Sequence, residues 1–366
     1  MREGWEYKKL GDSCVIEYGT RVVQKKDGGT IYPVYGGGGE TFRMDKYNRE
    51  NCLVVARFAM SRTCVRYVKG KFFLNDSGLS INAGKELLQS YLNHHILHLN
   101  DDIYNLGKGA AQRNLDVNSF RNLIIAIPPL STQLSIVSEL DKINELIRLK
   151  KEQLKDYDNL AQSIFYEMFG DPIENEKRWE VKKLGEVSRK IGDGLHGTPE
   201  YTESNTGCYF INGNNLENGA ICIKEDTKMV SDDTKSKYHI EMDNYTILVS
   251  INGTLGKTAF YNGENVILGK SACYIKLGLD VNKIYIYELI RSDYFKKYAK
   301  EECTGTTIRN VSLKSMRNFP IIIPPLALQN LFAQRIELIE QQKAEIKSTI
   351  ADLETLLASR MQYWFD

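Results

Sequence analysis

Two Gly-Lys pairs followed by a hydroxyl residue are the first candidates for chemistry in this sequence. Gly256-Lys257-Thr258 and Gly269-Lys270-Ser271 match the end of a phosphate-binding loop, in which backbone N–H groups and a lysine hold a phosphate. The leading glycine of such a loop, five positions earlier, is replaced by Ile251 in one and by Glu264 in the other. Without that glycine the phosphate-binding turn is not specified, so we interpret both segments as tight turns between strands.

Three neighbouring histidines are the second candidate. His94 and His98 are four residues apart and could hold a metal ion on one face of a helix, with His95 beside them. The sequence has no His-Glu-x-x-His pattern, and no cysteine lies near the three histidines. We therefore predict a polar helix face and no metal site.

Ile127-Pro128-Pro129-Leu130 is similar in outline to the Asp/Asn-Pro-Pro-aromatic signature of amino methyltransferases. That chemistry needs a polar acceptor for the exocyclic amine and an aromatic ring to stack on a flipped base. Isoleucine and leucine provide neither, so we interpret the double proline as a connection from a strand to a helix. The sequence also has no Gly-x-Ser-x-Gly elbow and no plausible nucleophile triad. It predicts no catalytic residue.

Polar, glycine-rich segments remain as candidates for binding. They are 36–39 with the basic residues Arg57, Arg62, Arg66, Lys69 and Lys71, and then 193–201, 212–215 and 251–257. Arg, Lys and Asn side chains can contact phosphates and base edges, and glycine lets the backbone approach a groove closely. For any single residue the alternative is an ordinary surface turn.

Composition excludes several classes of protein. The 366 residues are 42% hydrophobic and 26% charged, with seven cysteines and a net charge of +1. No apolar run reaches the roughly 18 residues needed to span a bilayer, and no secretory h-region follows Met1. The cysteines form no Cys-x-x-Cys pair, so we expect reduced, mostly buried thiols in a cytoplasmic protein and no structural zinc. Residues 1–127 hold 18 Lys and Arg against 13 Asp and Glu, which is too weak a bias to predict a nucleic-acid partner by itself.

The segments that must position these loops occur twice in the sequence. Residues 109–133 and 305–329 share 12 of 25 positions without a gap, at an offset of 196. Trp5 with Lys8-Lys9-Leu10-Gly11 opens one half, and Trp179 with Lys182-Lys183-Leu184-Gly185 opens the other. The stretches between these matched ends hardly resemble each other. The pattern predicts one scaffold used twice, with two different surfaces.

A coiled-coil seam follows each copy of the repeat. Apolar residues recur at alternating steps of four and three from Ile136 to Met168 and again from Phe332 to Trp364, with Lys150, Lys343 and Arg360 as polar members. Each segment has about 39 residues, which as a helix is roughly 58 Å long. A single apolar stripe would be exposed, so we predict that the two helices pack antiparallel. Gly170-Asp171-Pro172 ends the first helix.

In each globular half the sequence predicts several strands and one helix. The predicted strands in the first half are 52–56, 63–68, 71–74 and 121–127, the predicted helix is 84–99, and 32–39 is predicted as a loop. In the second half the predicted strands are 208–212, 247–251, 258–261 and 271–277, and the predicted helix is 284–300.

These features together resemble the specificity subunit of Type I restriction-modification systems. The resemblance rests on Trp-x-x-Lys-Lys-Leu-Gly at the start of each half, Gly-x-x-x-Arg-Asn before the last strand, and Ile-x-Ile-Pro-Pro-Leu-x-x-Gln before each long helix. Segments 193–199 and 252–257 are also typical of that family's target-recognition domains. The resemblance covers essentially the whole chain.

The resemblance implies an α+β fold with an internal pseudo-twofold repeat. Two globular target-recognition domains, 1–130 and 171–326, would be separated by two long antiparallel coiled-coil helices, 131–170 and 327–366. Each domain would read one half of a bipartite, asymmetric site in double-stranded DNA. Two modification subunits would methylate adenine and restriction subunits would cleave, so S-adenosylmethionine, ATP and Mg²⁺ are expected in those partners and no cofactor in this chain.

Two alternatives stay open. One is a recognition subunit for another phage-defence methyltransferase, and the other is a two-headed protein-binding scaffold without DNA specificity. The candidate DNA-contacting residues are Gly36, Gly37, Gly38, Arg57, Arg62, Lys69, Lys71, Arg113, His196, Thr198, Asn214, Asn215, Asn252, Lys257 and Arg309.

Overall fold

The chain folds into two compact units. The computed structural model describes residues 2–109, 112–203, 206–303 and 310–366. Met1–Glu152 and Lys347–Asp366 form the first unit, and Gln153–Ile346 forms the second. The borders therefore fall inside the two long helices. Across the described residues, no helix carries an apolar stretch long enough to cross a bilayer.

The described residues up to the end of the first long helix form ten strands and six α-helices. The strands are β1 Glu6–Lys9, β2 Cys14–Tyr18, β3 Tyr32–Tyr35, β4 Glu40–Met44, β5 Arg49–Ala56, β6 Val65–Leu74, β7 Gly78–Ala83, β8 Gly107–Lys108, β9 Asn114–Leu115 and β10 Ile124–Ile127. The helices are α1 Leu10–Ser13, α2 Gln24–Asp27, α3 Gln89–His98, α4 Asn100–Asn105, α5 Val117–Arg121 and α6 Leu130–Phe169.

The described residues after the first long helix form twelve strands, five α-helices and two short 3-10 helices, Leu184–Glu186 and Gly213–Asn215. The strands are β11 Glu180–Lys183, β12 Ser188–Asp193, β13 Tyr201–Thr202, β14 Tyr209–Ile211, β15 Leu216–Glu217, β16 Ala220–Ile221, β17 Met229–Val230, β18 Thr246–Ser250, β19 Thr258–Phe260, β20 Val266–Leu268, β21 Ala272–Leu277 and β22 Pro320–Ile323. The helices are α7 Asp232–Tyr238, α8 Lys283–Arg291, α9 Asp293–Glu301, α10 Leu313–Asn318 and α11 Leu326–Phe365.

The two units repeat one sheet topology. The order β2-β7-β5-β6 in the first unit matches β12-β21-β18-β19 in the second, and all of these neighbours are antiparallel. A separate two-stranded ribbon is also repeated, β1 with β10 and β11 with β22, in the same antiparallel register. The first unit extends its sheet by β3 and β4, whereas the second builds another sheet, β13-β17-β14-β20. The predicted α+β fold with an internal repeat is confirmed.

Both long helices have 40 residues, and within each unit they run antiparallel. In the first unit Glu139 bonds Arg360, and Lys151 bonds Glu354 at 2.7 Å. In the second unit Asp158 bonds Lys343 at 2.8 Å, and further along Phe169 packs on Phe332 with ring centroids 5.1 Å apart. In both units, residues with higher numbers on α6 contact residues with lower numbers on α11. The predicted seam and its antiparallel packing are confirmed.

Lys343 is a charged group inside the seam. Its side chain is buried, and Nζ donates to Asp158 Oδ1 at 2.8 Å and to Glu340 Oε1 at 2.6 Å. Burial lowers the pKa of Lys343 most strongly, but the two carboxylates outweigh it and the pKa is raised. A buried lysine with fixed partners disfavours other registers of the helix pair, because a shifted register would leave the charge unpaired.

Several predicted strands are confirmed with small shifts at their ends. The predicted strands 52–56, 247–251, 258–261 and 271–277 overlap β5, β18, β19 and β21. The predicted strand 121–127 begins only at Ile124, because Arg121 ends α5. Asp116 caps that helix by accepting from the backbone N–H groups of Asn118 and Ser119.

The prediction of a loop over 32–39 is wrong for its first half. Residues 32–35 form β3, and Val34 is fully buried and pairs in parallel with Phe73 of β6. Four glycines suggested a loop, but burial of one side chain and pairing with an internal strand were sufficient to order the residues before them.

The two predicted strands 63–68 and 71–74 are one strand, β6. The expected break falls at Gly70, whose φ of +83° produces a local irregularity instead of a turn. Its N–H donates to the Asn51 side chain of the opposite strand at 2.8 Å. A bulge closed by that bond lets the ladder continue.

Both predicted helices of the globular halves differ from the observed ones. The predicted helix 84–99 begins only at Gln89, because the N–H of Gly84 bonds Ser13 O and that of Leu88 bonds a glutamine side chain. The predicted helix 284–300 is two helices, α8 and α9, separated at Ser292. Ser292 is buried with an extended ψ of 161°, and its hydroxyl donates to Leu289 O at 2.6 Å.

One buried glutamine fixes the start of each long helix. Gln133 Nε2 donates to Pro128 O and to Glu86 O, each at 2.9 Å, and Oε1 accepts from Leu88 N at 2.8 Å. Gln329 repeats the arrangement with Pro324 O at 2.8 Å and Asn282 N at 2.9 Å. Both side chains have no exposed surface. The glutamine that the two copies share thus has the same role in both units.

We expect Gln133→Ala to lower the free energy of unfolding of the first unit by about 3 kcal/mol, because three hydrogen bonds are lost and buried backbone groups are left without partners. Urea denaturation would measure the loss, and hydrogen-exchange mass spectrometry would localise it to 84–88 and 128–133. Gln341→Ala, on the exposed surface of α11, is the control. An equal effect of both substitutions would contradict the assigned role of Gln133.

The predicted polar face formed by His94, His95 and His98 is wrong, because His94 and His95 are buried. His95 stacks on Phe365 with ring centroids 4.6 Å apart, and its Nδ1 has no hydrogen-bond partner among the described residues. Burial, with a smaller contribution from His98, lowers the pKa of His95 from 6.5 to about 3.

This pKa predicts acid lability of the first unit. Protonation favours the unfolded chain, so the stability associated with neutral His95 is present above pH 6.5 and is lost as the pH falls toward 3. We expect a loss of about 1.4 kcal/mol per pH unit in that window. In His95→Phe the change in the free energy of unfolding with pH should be smaller by the contribution of about one proton, which is about 1.4 kcal/mol per pH unit. Urea denaturation from pH 7 to pH 4 would measure this slope. An unchanged slope would exclude His95 as its source.

Candidate nucleic-acid interface

In each unit, loops at one end of the sheet are tied to each other by the same backbone bonds. In the first unit the N–H of Arg57 bonds Ser77 O at 2.8 Å, and the N–H of Leu115 bonds Arg57 O at 2.8 Å. In the second, Ile251 N bonds Ser271 O at 3.1 Å and Val311 N bonds Ile251 O at 2.9 Å. We define the first loop edge as 36–39, 57–63, 75–77 and 113–115, and the second loop edge as 193–198, 212–215, 251–257, 269–271 and 310–313.

The glycine run is packed into the first loop edge. Gly36 and Gly37 are buried and Gly38 is exposed. A Cβ on Gly37 would lie 2.6 Å from Phe58 O, whereas a Cβ on Gly38 would have no neighbour within 4 Å. Gly37 O accepts from Arg66 Nη2 at 2.8 Å. Gly37 is therefore required for close backbone approach, and Gly38 is open to solvent.

The arginines of the first loop edge lie on aromatic rings. The Arg57 guanidinium carbon is 4.9 Å from the Tyr18 ring centroid and 4.4 Å from that of Phe58. Arg62 and Arg113 lie over one ring, Tyr104, at 4.9 and 4.8 Å. Aromatic faces attract guanidinium groups and fix their planes, so these cations are held in defined positions.

Lys69 and Lys71 lie further along β6. Both are exposed, and Lys71 pairs with Glu50 near the start of β5, whereas Arg66 pairs with Val54 near its end. Tyr47 raises the pKa of Lys71, and the Lys71 ammonium lies 4.6 Å from the Tyr47 ring centroid. The structure thus groups Gly36–Gly38, Arg57, Arg62 and Arg113, and it places the two lysines apart from them.

The second loop edge carries a groove of about 470 Å³. His196 and Asn252 line it together with Lys270 and Asp193, and His196 Nε2 lies 2.7 Å from Asp193 Oδ2. Asn252 forms an isolated bridge with Asn310. Thr198 is exposed on the same loop as His196.

A second concavity of about 320 Å³ is lined by Asn214 and Lys257, with Lys224 and Lys228. Glu217 lies 3.9 Å from Lys257 and 2.7 Å from Lys224, and the bond from Lys224 lowers the pKa of this carboxyl. Asn214 is exposed, which leaves its amide accessible.

The side chain of Asn215 makes its hydrogen bonds within residues 212–227. Its Nδ2 donates to Cys222 O at 3.0 Å and to Thr227 Oγ1 at 3.1 Å, and its Oδ1 accepts from Asn212 N at 3.0 Å. A buried amide with these bonds shapes the loop that presents Asn214. Arg309, the remaining candidate, lies outside the described residues.

Sequence reasoning missed the aromatic supports Tyr18, Phe58 and Tyr104, and it missed Lys270 as a groove residue. Lys270 stood in one of the Gly-Lys pairs interpreted as turns, and the structure does place both pairs in turns between strands. Tyr104 lies within α4 and carries no sequence signal of proximity to Arg62. Among the described residues, no group of three or more His, Cys, Asp or Glu side chains is arranged to hold a metal ion.

Comparison with known proteins decides the family. The family model described as "Type I restriction modification DNA specificity domain" matches residues 2–156 and again 176–354. The chain belongs to this family of Type I restriction-modification DNA specificity proteins. The resemblance found from the repeat is thereby confirmed.

Curated relatives are distant in sequence. The chain is 21% identical over 252 residues to the specificity subunit of the type I restriction enzyme MjaVIII from Methanocaldococcus jannaschii, an alignment covering 64% of this chain and 59% of the relative. It is 22% identical over 350 residues to a putative type I specificity subunit from Haemophilus influenzae, covering 92% and 87%. The first alignment thus spans less than two thirds of that relative.

Solved structures share the fold. The S subunit of the Type I restriction-modification system from M. genitalium matches with a TM-score of 0.56 and 16% identity, over 99% of this chain and 96% of that one. A chain from a study of complex assembly and conformational transition of the type I system matches with a TM-score of 0.57 and 18% identity, over 99% and 97%.

The packing of the glycine run gives a matched pair of variants. We expect Gly37→Ala to lower the free energy of unfolding by about 1–3 kcal/mol and to speed amide exchange in 57–63, because the new methyl group meets a backbone carbonyl. Gly38→Ala should change neither quantity, because nothing lies near its Cβ. Thermal denaturation and hydrogen-exchange mass spectrometry would measure both. Equal behaviour of the two variants would contradict the packed position of Gly37.

Proposed function

We propose that this chain is the DNA-recognition subunit of a Type I restriction-modification complex, and that each unit reads one half of a bipartite, asymmetric site in double-stranded DNA. The observation that carries the proposal is one hydrogen-bonded frame presenting two chemically different loop edges. Arg57, Arg62 and Arg113 dominate the first, whereas His196, Asn252 and Lys270 line the groove of the second. Different side chains on one frame would read different base pairs.

The chain would not itself be catalytic. Two modification subunits would methylate adenine, and restriction subunits would cleave with ATP. S-adenosylmethionine, ATP and Mg²⁺ would therefore bind in those partners, and the assembly would act on DNA in the cytoplasm. Exposed leucines on the long helices, Leu134 on α6 and Leu338 on α11, support docking of partner subunits there, because such side chains are normally covered when they are numerous on one element.

Methylation mapping by single-molecule sequencing tests this function directly. The chain would be produced with the modification subunit of its own system in a host that lacks other adenine methylation. We expect a gapped, asymmetric motif with methyladenine on each strand. If the complex assembles and binds S-adenosylmethionine but no motif appears, the protein-binding scaffold becomes the better function.

Exchange of one domain tests the assignment of half-sites. We expect replacement of residues 1–127 by the corresponding segment of another family member to change one half of the methylated motif and to leave the other half and its methyladenine unchanged. The matched control replaces 171–326 and should change the opposite half. A change in both halves from one exchange would exclude independent reading by the two units.

A further inference from the structure

Two arginines of the first loop edge share one aromatic ring. The guanidinium carbons of Arg62 and Arg113 lie 4.9 and 4.8 Å from the ring centroid of Tyr104. Arg113 Nη1 also donates to Tyr104 O at 3.2 Å. Tyr104 therefore brings together two cations from different loops of the first unit.

Neither cation has a carboxylate partner in the part of the chain that the structure describes. Other arginines of this unit do have one: Arg43 lies 3.2 Å from Glu40, and Arg49 lies 3.4 Å from Glu17. Two like charges beside one ring repel each other, and a bound anion relieves that repulsion. The arrangement favours a polyanion as ligand.

The two arginines differ in their relation to the internal repeat. Arg113-Asn114 is one of the pairs shared by both copies, with Arg309-Asn310 as its counterpart. The residues that follow, Leu115 and Val311, make the same backbone bond, to Arg57 O and Ile251 O. Arg113 thus lies two residues before a backbone bond that both units share, and its counterpart in the repeated sequence is also an arginine.

Arg62 lies outside the repeated stretch, and no arginine stands in the equivalent connection of the second unit. It lies between β5 and β6, and the equivalent connection between β18 and β19 is residues 251–257. That segment contains one basic residue, Lys257. A side chain present in only one of two domains is suited to a feature that only one half-site has.

From these observations we propose that Arg113 contacts a DNA phosphate and positions the duplex, whereas Arg62 reads a guanine base edge in the half-site of the first unit. The inference rests on the proposed function. Two domains that read different half-sites share only the sugar-phosphate backbone, so a DNA-contacting residue common to both is suited to a phosphate contact. Guanine presents two major-groove acceptors that match the two parallel N–H groups of an arginine.

The side chain of Arg62 is free to make that contact. In the described part of the chain its guanidinium donates no hydrogen bond, whereas Arg66 donates to Gly37 O and Thr63 O, at 2.8 and 3.0 Å. Stacking on Tyr104 fixes the guanidinium plane before DNA arrives, which reduces the ordering cost of a bidentate contact.

The test uses the chain in complex with its modification subunit and the DNA motif that the wild type methylates. Binding to a duplex oligonucleotide carrying that motif is measured between 50 and about 300 mM salt. The same measurement is made on duplexes in which each base pair of the first half-site is replaced. The variants are Arg62→Ala, Arg62→Lys, Arg113→Ala and Arg113→Lys, with Arg43→Ala as an exposed control.

We expect Arg113→Ala to weaken binding about equally on all duplexes and to reduce the slope of log Kd against log salt by about 1. Arg113→Lys should restore most of the affinity, because a phosphate accepts a point charge. We expect Arg62→Ala to weaken cognate binding by on the order of 10- to 100-fold and to remove the preference at one G·C position. Arg62→Lys should not restore that preference.

Three results overturn the inference while leaving the proposed function intact. They are identical profiles for the two alanine variants, restored discrimination in Arg62→Lys, and a lowered Tm of Arg113→Ala without a change in salt slope. The absence of any methylated motif for the wild type would instead remove the proposed function. Arg43→Ala should match the wild type throughout.

Discussion

The structure depends on one buried amide in each unit. Gln133 and Gln329 accept from a backbone N–H that precedes a helix and donate to the carbonyl of the first proline after the last strand. Each glutamine thus joins a strand end, a long helix and a segment from the globular half. Because it has no exposed surface, its bonds do not compete with water, and each unmade bond would leave a buried group unsatisfied.

Other residues make equivalent bonds in the two units and extend the same frame. The hydroxyl groups of Tyr91 and Tyr285 donate to Ala126 O and Ile322 O, at 2.9 and 2.7 Å. The guanidinium groups of Arg121 and Arg317 donate to Ile16 O and Ile191 O. All of these bonds end on backbone carbonyls, so they specify geometry and tolerate changes in neighbouring side chains. Such a frame can hold loop edges of different composition without loss of the fold.

Charged side chains also differ between the shared frame and the loop edges. Inside the seam, Lys343 lies between Asp158 and Glu340, and its charge is compensated. At the first loop edge, the guanidinium groups of Arg62 and Arg113 have aromatic support but no carboxylate among the described residues. Compensated charge fixes a register, whereas uncompensated charge on a rigid support remains available to a polyanionic ligand. The net charge of the chain could not reveal this difference, because the difference depends on where each charged side chain lies in the structure.

The sequence by itself determined the repeat, the two long helices, the strand-to-helix connection at the double prolines and the family. Each of these follows from residue type and spacing along the chain, as at Ile136–Met168. Only the tertiary structure decided that 32–35 is a strand, that Ser292 divides a helix, and that His95 is buried. It alone brought Arg62 and Arg113 onto Tyr104. Local patterns report periodicity, but burial and the meeting of distant side chains depend on long-range packing, which periodicity does not encode.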